Sequence, residues 1–108
     1  MLGNKGDIMS TLKTVLKEEN KRLHKLQKRY QKEIRNLPKG SLSIKNRKGR
    51  KYAYLAYREN DTIKTDYIGR LDSDSAKEMK ILIKKRKELE ALLKKTNQRI
   101  TEVKKVLK

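Results

Sequence analysis

From Ser75 to Lys108 no proline or glycine interrupts the chain, and apolar side chains return at alternating steps of three and four. Met79, Leu82, Leu89, Leu93, Ile100, Val103 and Leu107 hold these places, with Arg86 and Thr96 filling the rhythm between them. Such spacing draws one narrow stripe along a helix, and a narrow stripe is buried by packing against another helix. A second stripe of this kind runs through Met9, Leu12, Leu16, Leu23, Leu26, Tyr30 and Leu37, with Glu19 and Glu33 in its polar places. Pro38 stops it, with Gly40 close behind. Two matching seams in one chain read as an antiparallel coiled-coil hairpin. The expected layers set Leu37 against Met79, Leu26 against Leu89, Leu16 against Ile100 and Met9 against Leu107. Glu19 then faces Thr96, Tyr30 faces Arg86, and Glu33 is left facing Leu82.

Between the seams the chemistry changes. Over 41–69, Ser, Ile, Tyr, Ala and Thr alternate in the manner of strands. Asn46-Arg47-Lys48-Gly49 reads as a type I turn closed by a left-handed glycine, a three-residue loop. That loop pairs Ile44 with Tyr52 and Leu42 with Tyr54. A second tight turn at Asn60-Asp61 pairs Arg58 with Ile63 and Tyr54 with Tyr67. Alternation then assigns Leu42, Ile44, Tyr52, Tyr54, Ala56, Ile63 and Tyr67 to a core face. The outer face receives Ser43, Lys45, Lys51, Ala53, Leu55, Tyr57, Lys64 and Asp66. Ser75-x-x-Glu78 reads as a capping box opening the last helix. The expected fold class is α+β in a single domain, 1–108. A flexible 1–9 precedes a long helix over 10–37, then a three-stranded antiparallel meander over 41–69, then a long helix over 74–107. The two helices pair as the hairpin, with the sheet at its tip.

Composition removes whole classes of function. The chain has no Cys, Phe or Trp, so disulfide frameworks, Cys-based zinc sites and thiol catalysis are excluded. No apolar run approaches the ~20 residues of a membrane span, and the first residues lack the apolar stretch of a signal peptide. The expectation is a cytoplasmic protein. The single histidine, His24, lies among Lys and Arg, and the carboxylates have basic neighbours at helical spacing, as Glu18 has Arg22. No glycine motif cradles a phosphate. Catalytic residues, metal ligands, cofactors and a small-molecule substrate are therefore not expected.

Charge points instead to a partner. Thirty-one Lys and Arg against 13 Asp and Glu give a net charge of +18. That exceeds the magnitude of about 2–8 that keeps a small domain soluble, and the self-repulsion calls for an anion to offset it. The densest point is Lys45-Asn46-Arg47-Lys48-Gly49-Arg50-Lys51, five basic residues around one predicted turn. A glycine turn carrying Arg47 and Arg50 can approach a phosphate backbone closely or grip guanine edges. The expected nucleic-acid surface comprises Lys45, Arg47, Lys48, Arg50, Lys51, Tyr57, Arg58 and Lys64, with Tyr57 stacking on bases or bonding phosphate. Apolar residues off the seam, among them Ile81, Ile83, Leu92 and Val106, are expected to bury themselves in a homodimer interface.

At Gly40-Ser41-Leu42-Ser43-Ile44, Arg47-x-Gly49-Arg50-Lys51-Tyr52-x-Tyr54-Leu55, Tyr57-Arg58 and Tyr67-Ile68-Gly69, the chain resembles an uncharacterised family of short basic prokaryotic and phage proteins. These set a Tyr-rich three-stranded core between two charged helices. The β segment also resembles the three-stranded arm-site-binding domains of tyrosine recombinases, which lay a sheet into the major groove of DNA. The resemblance implies an exposed sheet face carrying basic and polar side chains. Two functions follow as expectations. One is a non-enzymatic DNA- or RNA-binding protein. The other is a phage or mobile-element inhibitor, such as an anti-CRISPR, whose basic surface clamps a protein or a nucleoprotein.

Overall fold

The computed structural model describes residues 5–108 in the order α1 (Lys5–Arg35), β1 (Ser41–Arg47), β2 (Arg50–Glu59), β3 (Thr62–Arg70) and α2 (Asp74–Leu107). The expected α+β architecture is the one observed. The segment expected to be flexible is helical from Lys5, and residues 1–4 lie outside the described residues. Two compact units are distinguished, one joining α1 up to Glu33 with α2 from Glu90, the other spanning Ile34–Leu89.

In the first unit the helices pair through the expected faces but at a different level. Gln27 Nε2 donates to Asn97 Oδ1 at 2.7 Å. In the expected register Gln27 would lie level with Glu88 or Leu89, and at 1.5 Å per residue Asn97 would be more than about 10 Å away along the axis. The helices are therefore set about one heptad from the expected layers. Leu23, not Leu16, falls level with Ile100, and both are buried, at 1% and 5% exposure. Glu19 does not meet Thr96. It accepts two bonds from Arg22 at 2.6 and 2.9 Å, which hold its carboxyl below the usual range. Thr96 turns its hydroxyl to the carbonyl of Leu92 at 2.9 Å. The shift also leaves the start of α1 beyond the last residues of α2. Met9 does not pack on Leu107 as expected; Ile8, Met9, Leu12 and Val15 are all half-exposed or more.

The second unit contains the sheet and its covering. Pro38 follows the end of α1, where the Leu37 N–H bonds the Ile34 carbonyl at 3.1 Å. Arg86 Nη1 donates to the carbonyls of Ile34 and Leu37 at 2.9 and 2.7 Å, so its charge closes a helix C-terminus. The guanidinium expected to face Tyr30 thus binds backbone carbonyls at the end of α1. At the other end, Ser73 Oγ accepts the Ala76 N–H at 3.2 Å and donates to the Arg70 carbonyl at 2.6 Å. Ser73 is therefore the N-cap, and Ser75 and Glu78 lie inside the helix instead of forming its box.

The strands lie in the order β1-β2-β3, all antiparallel. Both turns are two residues long with positive φ throughout: Lys48 at 51° and Gly49 at 79°, then Asn60 at 48° and Asp61 at 66°. These are type I′ hairpins, whose twist matches that of the strands. The first turn is thus one residue shorter than the sequence suggested. Ile44 pairs with Ala53 and Leu42 with Leu55, instead of with Tyr52 and Tyr54. The second turn gives Arg58–Ile63 and Tyr54–Tyr67 as expected, with a bulge beyond that leaves Ile68 unpaired between Tyr67 and Gly69. Gly40, at φ 118°, leads into β1 where a Cβ would strike the carbonyl oxygen of Ala56.

Candidate nucleic-acid interface

Cross-strand partners share a face, so the register sorts the sheet. One face holds Leu42, Ile44, Lys51, Ala53, Leu55, Tyr57, Glu59, Lys64 and Asp66. Ala53 is fully buried and Leu42, Leu55 and Tyr57 are half-buried, so the middle of this face is the covered side, while Ile44 toward the hairpin end, expected in the core, is 53% exposed. The rest of the unit is helix ends and connections, and Ile34, Ala76, Ile83 and Leu89 are its other buried apolar residues. The opposite face holds Ser43, Lys45 and Arg47 of β1, Arg50, Tyr52, Tyr54, Ala56 and Arg58 of β2, and Ile63, Thr65 and Tyr67 of β3. Tyr67 is 59% exposed and Ile63 66% exposed. The face expected to be core is, for β2 and β3, the open face. The short turn slips β1 by one residue, so Leu42 and Ile44 leave the tyrosines and join the face of Ala53 and Leu55, while the β2–β3 register holds.

On the open face three tyrosines form one cluster. The Tyr67 ring lies 5.4 Å from Tyr54 in an edge contact at 62° and 6.3 Å from Tyr52 at 50°. Lys45 Nζ stands 4.7 Å from the Tyr54 ring centroid, a cation–π contact. With Arg47, Lys48 and Arg50 the tyrosines line a concavity of about 740 Å³ open to solvent. Arg47 and Arg50 are directly paired across the hairpin end, beside Lys48. Like charges so placed repel, and no carboxylate of the strands shares their face. Glu59 and Asp66 lie on the covered side, where Glu59 pairs with Lys64 at 3.0 Å.

Five of the expected binding residues, Lys45, Arg47, Lys48, Arg50 and Arg58, thus belong to the open face or its turn. Lys51, Tyr57 and Lys64 do not. Tyr57 is half-buried on the covered face, and desolvation first, then a hydrogen bond to Asp66, hold its hydroxyl protonated above the usual tyrosine range. Tyr52, Tyr54 and Tyr67 are the members that sequence reasoning sent to the core. A signal in the sequence was the carboxylate distribution: alternation along β2 and the β2–β3 pairing place Glu59 and Asp66 on the face opposite Arg50, Tyr52 and Tyr54. Of the expected dimer residues, Ile81, Leu92 and Val106 are exposed, but Ile83 is only 6% exposed within the chain and is not available to a second copy.

A family model described as Domain of unknown function (DUF6788) matches residues 16–78, which take in most of α1, the whole sheet and the start of α2. No curated protein and no solved structure matches the chain.

Proposed function

The chain belongs to the DUF6788 family, and we propose for it a non-enzymatic role in binding nucleic acid through the open face of the sheet. The observation that supports this reading is charge segregation. Lys45, Arg47, Lys48 and Arg50 gather around the exposed Tyr67 and the half-buried Tyr52 and Tyr54, with Arg58 farther along β2, on a face to which the strands contribute no carboxylate. Arg47, Lys48 and Arg50 make no ion pair among the described residues. Their mutual repulsion, screened in part by salt, is relieved further by a polyanion. Arg forks suit phosphate, and tyrosine supplies both a ring for bases and a hydroxyl for phosphate.

The test is the salt dependence of binding. Each neutralised phosphate contributes about −0.7 to −0.9 to the slope of log affinity against log salt. Replacing Arg47 and Arg50 by Ala together should flatten the slope by ~1–2 and weaken binding. The charge-matched control is Lys104 and Lys105 in the last turn of α2. Equal weakening by the control pair would mean that charge acts as a diffuse field, and the sheet face would no longer be the site.

A further inference from the structure

We infer that the open face takes a single-stranded stretch of polynucleotide, with unpaired bases on Tyr67, Tyr54 and Tyr52 and phosphates against Lys45, Arg47 and Arg50. This rests on the nucleic-acid reading above and narrows it. A duplex hides its base faces in the stack and offers only edges at the floor of a groove, which are read by donors and acceptors. The centre of this face is a set of aromatic rings, with centroids 5.4 and 6.3 Å apart and the foremost ring 59% exposed. Rings serve a ligand whose own π-faces are free, and stacking of this kind tolerates any base. The cations, by contrast, are gathered toward the Lys48–Gly49 end, where they meet a backbone passing beside the rings.

Spacing points the same way. Tyr52 and Tyr54 project from one strand two residues apart, about 6.6–6.8 Å, roughly twice the 3.4 Å rise per nucleotide of a stacked strand. Consecutive bases in a duplex cannot separate that far without unstacking, whereas a single strand can splay its bases to that interval. The face therefore has room for about two or three nucleotides, as other aromatic sheet platforms do. In the free protein Lys45 lies over the Tyr54 ring at 4.7 Å. A base arriving there displaces the ammonium toward the phosphate that accompanies it. A site meant for phosphates alone would leave the tyrosine cluster without a task.

The experiment uses the full chain with labelled mixed-sequence oligonucleotides: single-stranded DNA, single-stranded RNA, and the duplex of the same sequence, followed by anisotropy at one salt concentration. Single strands should bind at least ~10-fold more tightly than duplex. Tyr67→Leu should weaken single-strand binding ~5- to 100-fold, the loss of one stacking contact, and leave duplex binding within about twofold. The DNA and RNA arms separate base-and-phosphate recognition, which treats them alike, from a contact to the 2′-hydroxyl, which favours RNA. Tyr67→Trp supplies a readout that does not depend on the leucine variant folding. The chain contains no other Trp, so its fluorescence reports this position alone and should be quenched by single strands and unaffected by duplex. Duplex binding as tight as single-strand binding, or a Tyr67→Leu protein with undiminished single-strand affinity, would overturn the inference; sensitivity to Arg47 and Arg50 would then still uphold the broader reading. Absence of binding to every oligonucleotide at low salt would overturn both.

Discussion

Lys48 holds φ at 51° in a turn whose partner residue is Gly49, and the register of β1 on β2 depends on that pair. A left-handed backbone costs an ordinary side chain ~1–2 kcal/mol, while Asn is enriched there. Lys48→Asn should therefore stabilise the protein by ~0.5–1 kcal/mol in a denaturant titration. In the longer loop expected from sequence this residue would have negative φ, and the substitution would bring no gain. Tyr57 offers a second residue-level test. Its folded pKa is raised, so the stability it contributes is present below the unfolded tyrosine value near 10 and is lost as pH climbs through the folded value. It should titrate above the ordinary tyrosine range in the tyrosinate absorbance, and Tyr57→Phe should remove that step.

At the scale of elements, the helix seams show how much a periodic pattern conveys. Leu23, Leu89, Thr96 and Ile100 are buried at places the 3-4 rhythm assigned to the seam. The face was legible because it follows from the angle per residue. The level was not, because a heptad pattern slid by seven residues superposes on itself. Polar contacts settle it: the Gln27–Asn97 bond in one unit, the Arg86 bonds to the carbonyls of Ile34 and Leu37 in the other. Leu23→Ala and Ile100→Ala should each cost ~2–4 kcal/mol, and together less than their sum. Full additivity would mean that the two side chains do not share a layer. Asn20 adds a test on the same stripe, since its Oδ1 is buried without a hydrogen-bond partner. Asn20→Leu should raise stability by ~1–2 kcal/mol, the cost of an unsatisfied polar atom.

For the whole molecule, a net charge of +18 on 108 residues is the dominant long-range term. Salt shortens its reach to about 10 Å at 0.1 M. The melting temperature should therefore rise between low and moderate salt, and rise further with a short polyanion at constant ionic strength. A melting temperature indifferent to both would mean that the charges are already compensated within the fold. Ile81, Leu92 and Val106 remain exposed at 66%, 43% and 64%, and with the uncovered Ile8, Met9, Leu12 and Val15 they carry the expectation of self-association. Light scattering at micromolar concentration should return twice the chain mass; a monomer would remove that expectation. Among the described residues no helix is long and apolar enough to cross a membrane.

What the sequence determined by itself was local and periodic: where helices stop, which stripe each buries, where two turns fall, and how much positive charge the chain carries. Pro38, the 3-4 spacing, Asn60-Asp61 and the charge count each act within a few residues or by simple addition, so no fold is needed to read them. Two integers were left to the tertiary structure, the level of one helix on the other and the length of the first hairpin turn. Each is a choice between arrangements of nearly equal local energy. A heptad slip preserves the seam, and a turn shorter by one residue trades one acceptable loop for another. The observed hairpin register carries Leu42 and Ile44 to the face of the buried Ala53, and alternation along β2 with the β2–β3 pairing sets Glu59 and Asp66 on that same face, away from Arg50. Which face of β2 and β3 stays open is a matter of what packs against the sheet, so composition showed the charge while the tertiary fold alone exposed Tyr67.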